Sequence, residues 1–151
     1  MSFKPPECYI DFTPEAFQQV APLWKYRASE KIVYKFISDR IVCAYDDQRR
    51  LTLNSANVVI PRLDLPPRVI ALLLNCDLYQ FIFRVRCKST KVLRSHLESM
   101  PIPRFTPEET EDLNRAIMEH NNIEGALKLA EEALATYFNL TETDLDLLRE
   151  T

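Results

Sequence analysis

The chain reads as an α+β fold: a small mixed or antiparallel β-sheet with packed helices, followed by a C-terminal helical segment. Three observations predict it. Two β-rich runs flank a Ser-Asp turn in "KIVYKFISDRIVCAYDD". A proline pair opens the mostly apolar stretch "RVIALLLNCDLYQFIFRVRC". The last third carries helix caps and helical apolar spacing. At 151 residues and 46% apolar composition the chain buries one sizeable core, perceived in sequence as a body over 1–105 and a helical segment over 106–151.

Taken in order, "TPEAFQQVAPLW" offers a short helix that starts at Thr13-Pro14 and ends near Pro22. Lys31–Ile37 and Arg40–Tyr45 then form a hairpin around Ser38-Asp39. "DDQRR" is a polar turn, and "LTLNSANVVIP" supplies two short strands, Leu51–Leu53 and Val58–Ile60. Pro66-Pro67 opens a helix. Periodicity leaves the second half of the apolar stretch behind it open between helix and strand, and its length, too great for one strand, favours helix. Thr106 caps the next helix, with Pro107 at its first position and Glu109 completing a capping box. A further helix spans Ile123 to Phe138, and Thr141 with Asp144 starts a short last one. Leu113, Ile117, Leu127, Ala130 and Leu134 recur at helical spacing, which marks packing contacts and not a ligand box.

Composition excludes several functions. A single glycine, Gly125, leaves no loop of the kind that cradles a phosphate or a dinucleotide. Cys8, Cys43, Cys76 and Cys87 are far apart with no C-x-x-C pair, so they read as reduced core thiols of a cytoplasmic protein, and no metal site is expected. No apolar run reaches membrane-spanning length, and the N-terminus shows no secretory signal. Asp46-Asp47 and Ser95-His96 are adjacent pairs, the wrong geometry for one carboxylate site or for a nucleophile with its base; a turn cap is the plainer reading of the Asp46-Asp47 pair. No hydrolase or phosphate-loop motif occurs, so catalysis within the chain is not expected.

Binding is what survives. The net charge of −3 hides a split: residues 1–100 hold 15 Lys/Arg against 10 Asp/Glu, and residues 101–151 hold 4 against 12. In the basic body, Lys25, Arg27, Arg40, Arg49, Arg50, Arg62, Arg84, Arg86, Lys88, Lys91 and Arg94 fall in loops, turns or element ends. Arginine there pairs a phosphate or reads a guanine edge in a bidentate way, and Asn54 and Asn57 have the matching chemistry for adenine. Ser89 and Thr90 offer hydroxyls to phosphate, with Tyr26, Tyr34, Tyr45 and Tyr79 nearby in sequence. One at a time, each of these residues is more simply a solubilising charge or a turn cap. As a set they point to nucleic acid.

Four blocks then carry a resemblance: Tyr45-Asp46, Leu53-Asn54-Ser55-Ala56-Asn57, Leu74-Asn75, and Leu93…Leu97…Pro101-Ile102-Pro103. In this order and spacing, over about residues 25–105, the chain resembles the TaqI-like C-terminal specificity domain of adenine-specific DNA methyltransferases and of restriction enzymes that fuse cleavage and methylation. The closing "YFNLTETDLDLLRE" is similar to the last segment of such enzymes. The resemblance implies a target-recognition domain that holds double-stranded DNA against a methyltransferase catalytic domain of the same polypeptide or complex. Catalysis and S-adenosylmethionine would belong to that catalytic domain, whose Asn-Pro-Pro-Tyr motif is absent here. The alternative from another class is a protein-interaction module that docks through its C-terminal helices.

Overall fold

A computed structural model describes residues 13, 22–52, 55–119 and 123–150. The helix expected from Thr13 to Pro22 lies outside the described residues, as do Cys8, Leu53 and Asn54. The element order is α1 (Leu23–Tyr26), β1 (Lys31–Lys35), β2 (Cys43–Asp46), β3 (Ala56–Val59), α2 (Pro67–Leu74), α3 (Asp77–Cys87), α4 (Arg94–Glu98), α5 (Pro107–Glu119), α6 (Ile123–Phe138) and α7 (Glu142–Glu150). The expected α+β architecture is what forms. No described helix is long and apolar enough to cross a membrane.

The sheet is antiparallel with strand order β2-β1-β3. Ile32 opposes Tyr45 and Val59, and Tyr34 opposes Cys43 and Asn57. Alternation sends Ile32, Tyr34 and Cys43 into the helix-covered core. The other face of the sheet is not simply polar: Lys31, Val33, Ala44 and Asp46 are buried there. One expectation fails. Leu51 and Thr52 are not strand, and a single strand, Ala56–Val59, stands where two were expected. Asp46 opposes Lys31 and Ala56 opposes Lys35, with β2 and β3 on opposite sides of β1. The chain after Asp46 must therefore run back past β1 from one end of the sheet to the other, and these residues serve as that connection.

Helix α2 is the centre of the molecule. Val69 to Leu74 are all buried, as befits a helix apolar all round. It packs on β1 and β2 on one side and on α5 and α6 on the other. Leu113, Ala126, Ala130 and Leu134 from the acidic C-terminal helices join the same core. The apolar stretch read as helical is two helices, broken at Asn75-Cys76, where Cys76 is extended and starts α3.

The break has a purpose. Edge strand β2 and the residues leading into it direct the N–H and C=O of Cys43 and Ile41 away from β1. The Asn75 carboxamide accepts from Cys43 N–H at 3.0 Å and donates to Cys43 C=O at 3.0 Å. The Gln80 carboxamide accepts from Ile41 N–H at 2.8 Å and donates to Ile41 C=O at 3.1 Å. Two side-chain amides thus stand where a fourth strand would pair, and they close part of an edge that would otherwise template association. Burial pushes the Cys43 thiol up to about 12 and raises Cys76 as well, so both remain protonated; Cys43, Cys76 and Cys87 are free thiols. The C-terminal caps are as expected: Glu109 N–H donates to Thr106 Oγ1 at 3.2 Å while Thr106 N–H donates to Glu109 Oε2 at 2.7 Å, and Thr141 with Asp144 repeats the pattern.

Candidate nucleic-acid interface

The sheet has two ends, about 13 Å apart for a strand of this length. The candidate residues divide between them.

At the Lys31 end, Asp46 organises everything. Its carboxylate pairs with Lys31 and with Arg50 Nη1 at 2.9 Å, and accepts from the backbone N–H of Gln48 at 3.1 Å and of Arg50 at 2.9 Å. Lys31 also donates to the Tyr26 carbonyl at 2.8 Å. Burial pushes the Asp46 carboxyl up, but the bonds from Lys31, Gln48 and Arg50 outweigh it and hold the group below its usual range. Asp46 is therefore a turn cap, as its sequence context suggested, and Arg50 is tied to it. Arg27 and Arg49 are exposed nearby in the chain, and Lys25 is half-buried with its ammonium 5.8 Å from the Trp24 ring. Arg62 lines a groove of about 970 Å³ between the exit of β3 and the 97–105 segment, together with Glu98 and Arg104.

At the Lys35 end the structure builds a ledge. The β1–β2 connection and the segment after α3 pair with each other: Ile37 bridges Lys91, Ser38 N–H donates to Thr90 C=O at 3.0 Å, and Val92 N–H donates to Phe36 C=O at 2.8 Å. Phe36 N–H is held in turn by Ser55 C=O at 3.0 Å. This sets exposed Lys91 opposite Ile37, two residues from exposed Lys35, with exposed Lys88 and Arg94 three residues to either side of Lys91 in the chain and Arg84 and Arg86 in the last turn of α3 just before. Arg40 is exposed in the same β1–β2 connection. Arg84 Nε is buried without a hydrogen-bond partner among the described residues.

Several of these groups have partners of their own. Arg94 binds Glu98 through Nη2 at 2.6 Å, but both side chains are more than half exposed; such a pair is worth about 0.5 kcal/mol and yields readily to a phosphate. Asn57 hydrogen-bonds the Tyr34 hydroxyl. Burial raises the Tyr34 pKa, the Asn57 bond offsets part of that, and Arg94 and Glu98 act on the same hydroxyl with opposite signs. Ser89 Oγ is engaged by its own turn, donating to Lys91 C=O at 2.9 Å and accepting from Lys91 N–H at 3.0 Å. His96 accepts from Leu93 N–H through Nδ1 at 3.2 Å and so caps α4. Among the described residues no group of His, Cys, Asp and Glu is arranged to hold a metal.

Among the described residues, three other than glycine have left-handed backbone: Arg49 (φ 54°), Lys88 (φ 42°) and Asn139 (φ 50°). Asparagine suits such a helix end. Arginine and lysine do not, at a cost of about 1 kcal/mol each, and both are candidate DNA contacts.

The motif residues, by contrast, are clamps. Asp46 ties the turn, Asn75 closes the strand edge, Leu97 is buried, and Pro101 C=O accepts from the buried Tyr79 hydroxyl at 2.7 Å, fixing the Pro-Ile-Pro exit. Sequence reading missed Asn75 and Gln80 as strand partners. The one signal was polarity inside an apolar run.

A basic ledge thus stands on a small α+β body. The chain belongs to the TaqI-like C-terminal specificity domain family, whose model matches residues 1–102. The match begins earlier than the resemblance at 25–105 and ends within Pro-Ile-Pro, where the Tyr79 bond locks the exit. No curated protein and no solved structure matches the chain.

Proposed function

We propose that the chain is the sequence-reading module of an adenine-specific DNA methyltransferase or a fused restriction-modification enzyme, with catalysis outside it. It acts in the cytoplasm beside a methyltransferase catalytic domain of the same polypeptide or complex, and that domain would bind S-adenosylmethionine. The observation that carries this reading is the ledge: a segment paired through Thr90, Lys91 and Val92 to the β1–β2 connection, with Lys88 before the pairing, Lys91 within it and Arg94 opening α4 just after it. Cations on a rigid ledge fix register on a phosphate backbone, which leaves neighbouring side chains to reach base edges. The acidic C-terminal helices direct Leu113, Ala130 and Leu134 into their own core, which favours DNA reading over docking through those stripes. In such a complex the catalytic partner extrudes the adenine while this module holds the duplex.

Anisotropy titration against a labelled mixed-sequence duplex of about 30 base pairs, at several salt concentrations, tests it. Each neutralised phosphate contributes about −0.9 to the slope of log K against log salt, so a slope of roughly −3 or steeper is expected. Alanine at Arg84, Arg86, Lys88, Lys91 and Arg94 flattens it. Alanine at Arg50 leaves the slope unchanged, because that guanidinium is held by Asp46. No binding at low salt, by the chain alone or joined to its catalytic domain, overturns the reading.

A further inference from the structure

At the centre of the basic ledge stands an apolar residue. Ile37 is 62% exposed, yet the backbone on both sides of it is pinned by Ser38 N–H to Thr90 C=O and Val92 N–H to Phe36 C=O. Its antiparallel bridge to Lys91 places the two side chains on the same side of the pair. The neighbouring Phe36 ring takes the Lys91 ammonium at 5.8 Å, which restricts the lysine side chain. Exposed Lys35 and Arg40 flank Ile37 in the chain. An isoleucine exposed on a pinned backbone, opposite Lys91 and with Lys35, Asp39 and Arg40 exposed close by in the chain, has no packing role in this fold. Against DNA it has a clear one. The cations fix the phosphates, and the apolar feature that the major groove presents is the 5-methyl group of thymine.

Resting on the DNA reading above, we propose that Ile37 is a specificity-determining residue: it enters the major groove and packs on a thymine methyl while Lys91 holds the adjacent phosphate. Ile37 lies on the β1–β2 connection, which carries none of the four motif blocks.

Selection from a randomised duplex pool with the intact chain, followed by anisotropy on the enriched site, tests it. The wild-type chain is expected to enrich a site with at least one invariant T·A pair. Ile37→Ala then binds that site about fourfold more weakly, the worth of burying roughly one methyl group, with the salt slope and Tm unchanged. Replacing that thymine by deoxyuridine weakens the wild type by the same factor and leaves Ile37→Ala unaffected. Lys91→Ala instead lowers the salt slope by about 0.9 and leaves the site preference in place. An unchanged site and affinity for Ile37→Ala, or binding with no thymine preference, overturns this inference and leaves the DNA reading standing. Absence of any DNA binding by the wild-type chain overturns both.

Discussion

Replacing Gln80 by leucine keeps the volume of a buried side chain and deletes its three hydrogen bonds. In the folded protein the Gln80 amide accepts from Ile41 N–H and donates to Ile41 C=O and Leu74 C=O, at 2.8, 3.1 and 3.0 Å, and the residue is 4% exposed. Each buried polar group left without a partner costs about 1–3 kcal/mol. Three such groups set an expected loss of roughly 3–5 kcal/mol, since the strand end can relax and admit some water. That is a large part of the stability of a domain of this size, which is of order 10 kcal/mol. Urea denaturation followed by circular dichroism measures it. Gln80→Glu sharpens the test. A carboxylate retains the acceptor but faces two carbonyl oxygens where the amide donated. Its folded-state pKa is then raised above the unfolded value of about 4.3, so its stability relative to wild type is best below that value and falls as pH rises through the raised pKa. A loss for Gln80→Leu below about 0.5 kcal/mol, or a Gln80→Glu deficit that does not grow between pH 4 and 7, would refute the edge-clamp account.

The remaining expectations concern the ion pair, the cap and the shared core. Asp46→Asn leaves the buried Lys31 charge uncompensated and destabilises by about 3–5 kcal/mol, whereas Lys31→Met with Asp46→Leu recovers most of that loss in the same urea assay. Because the Asp46 carboxyl is held below its usual 3.8, wild-type stability from this group is present above that value and falls away as pH drops through the lowered pKa; Asp46→Asn lacks that dependence. Lys88→Gly relieves left-handed backbone and raises Tm by about 2–4 °C while lowering the salt slope of DNA binding, a split that a purely structural lysine does not produce. Leu134→Ala destabilises by about 2–5 kcal/mol and shifts a single cooperative transition, because α6 shares its core with α2; a separate low-temperature transition in calorimetry would contradict that.

Much of the architecture was readable because its causes are local. Thr106 with Glu109, and Thr141 with Asp144, act across one helical turn, and α6 runs from Ile123 to Phe138 as its spacing predicts. The β1–β2 hairpin follows from β-branched runs on either side of a turn. Motif order was likewise enough to identify the family. Other features depend on residues that meet only after folding. Gln80 finds Ile41 across 39 positions and Asn75 finds Cys43 across 32, so no window of periodicity shows that an apolar stretch must break to deliver two amides to a strand edge. Lys31 looks like a surface charge until Asp46 is brought against it in the buried β1–β2 pair. Composition placed the candidate cations in one set. The sheet divides them, tying Arg50 to Asp46 at one end and assembling Lys88, Lys91 and Arg94 beside Ile37 at the other, because strand order, which no local signal encodes, decides which loops become neighbours.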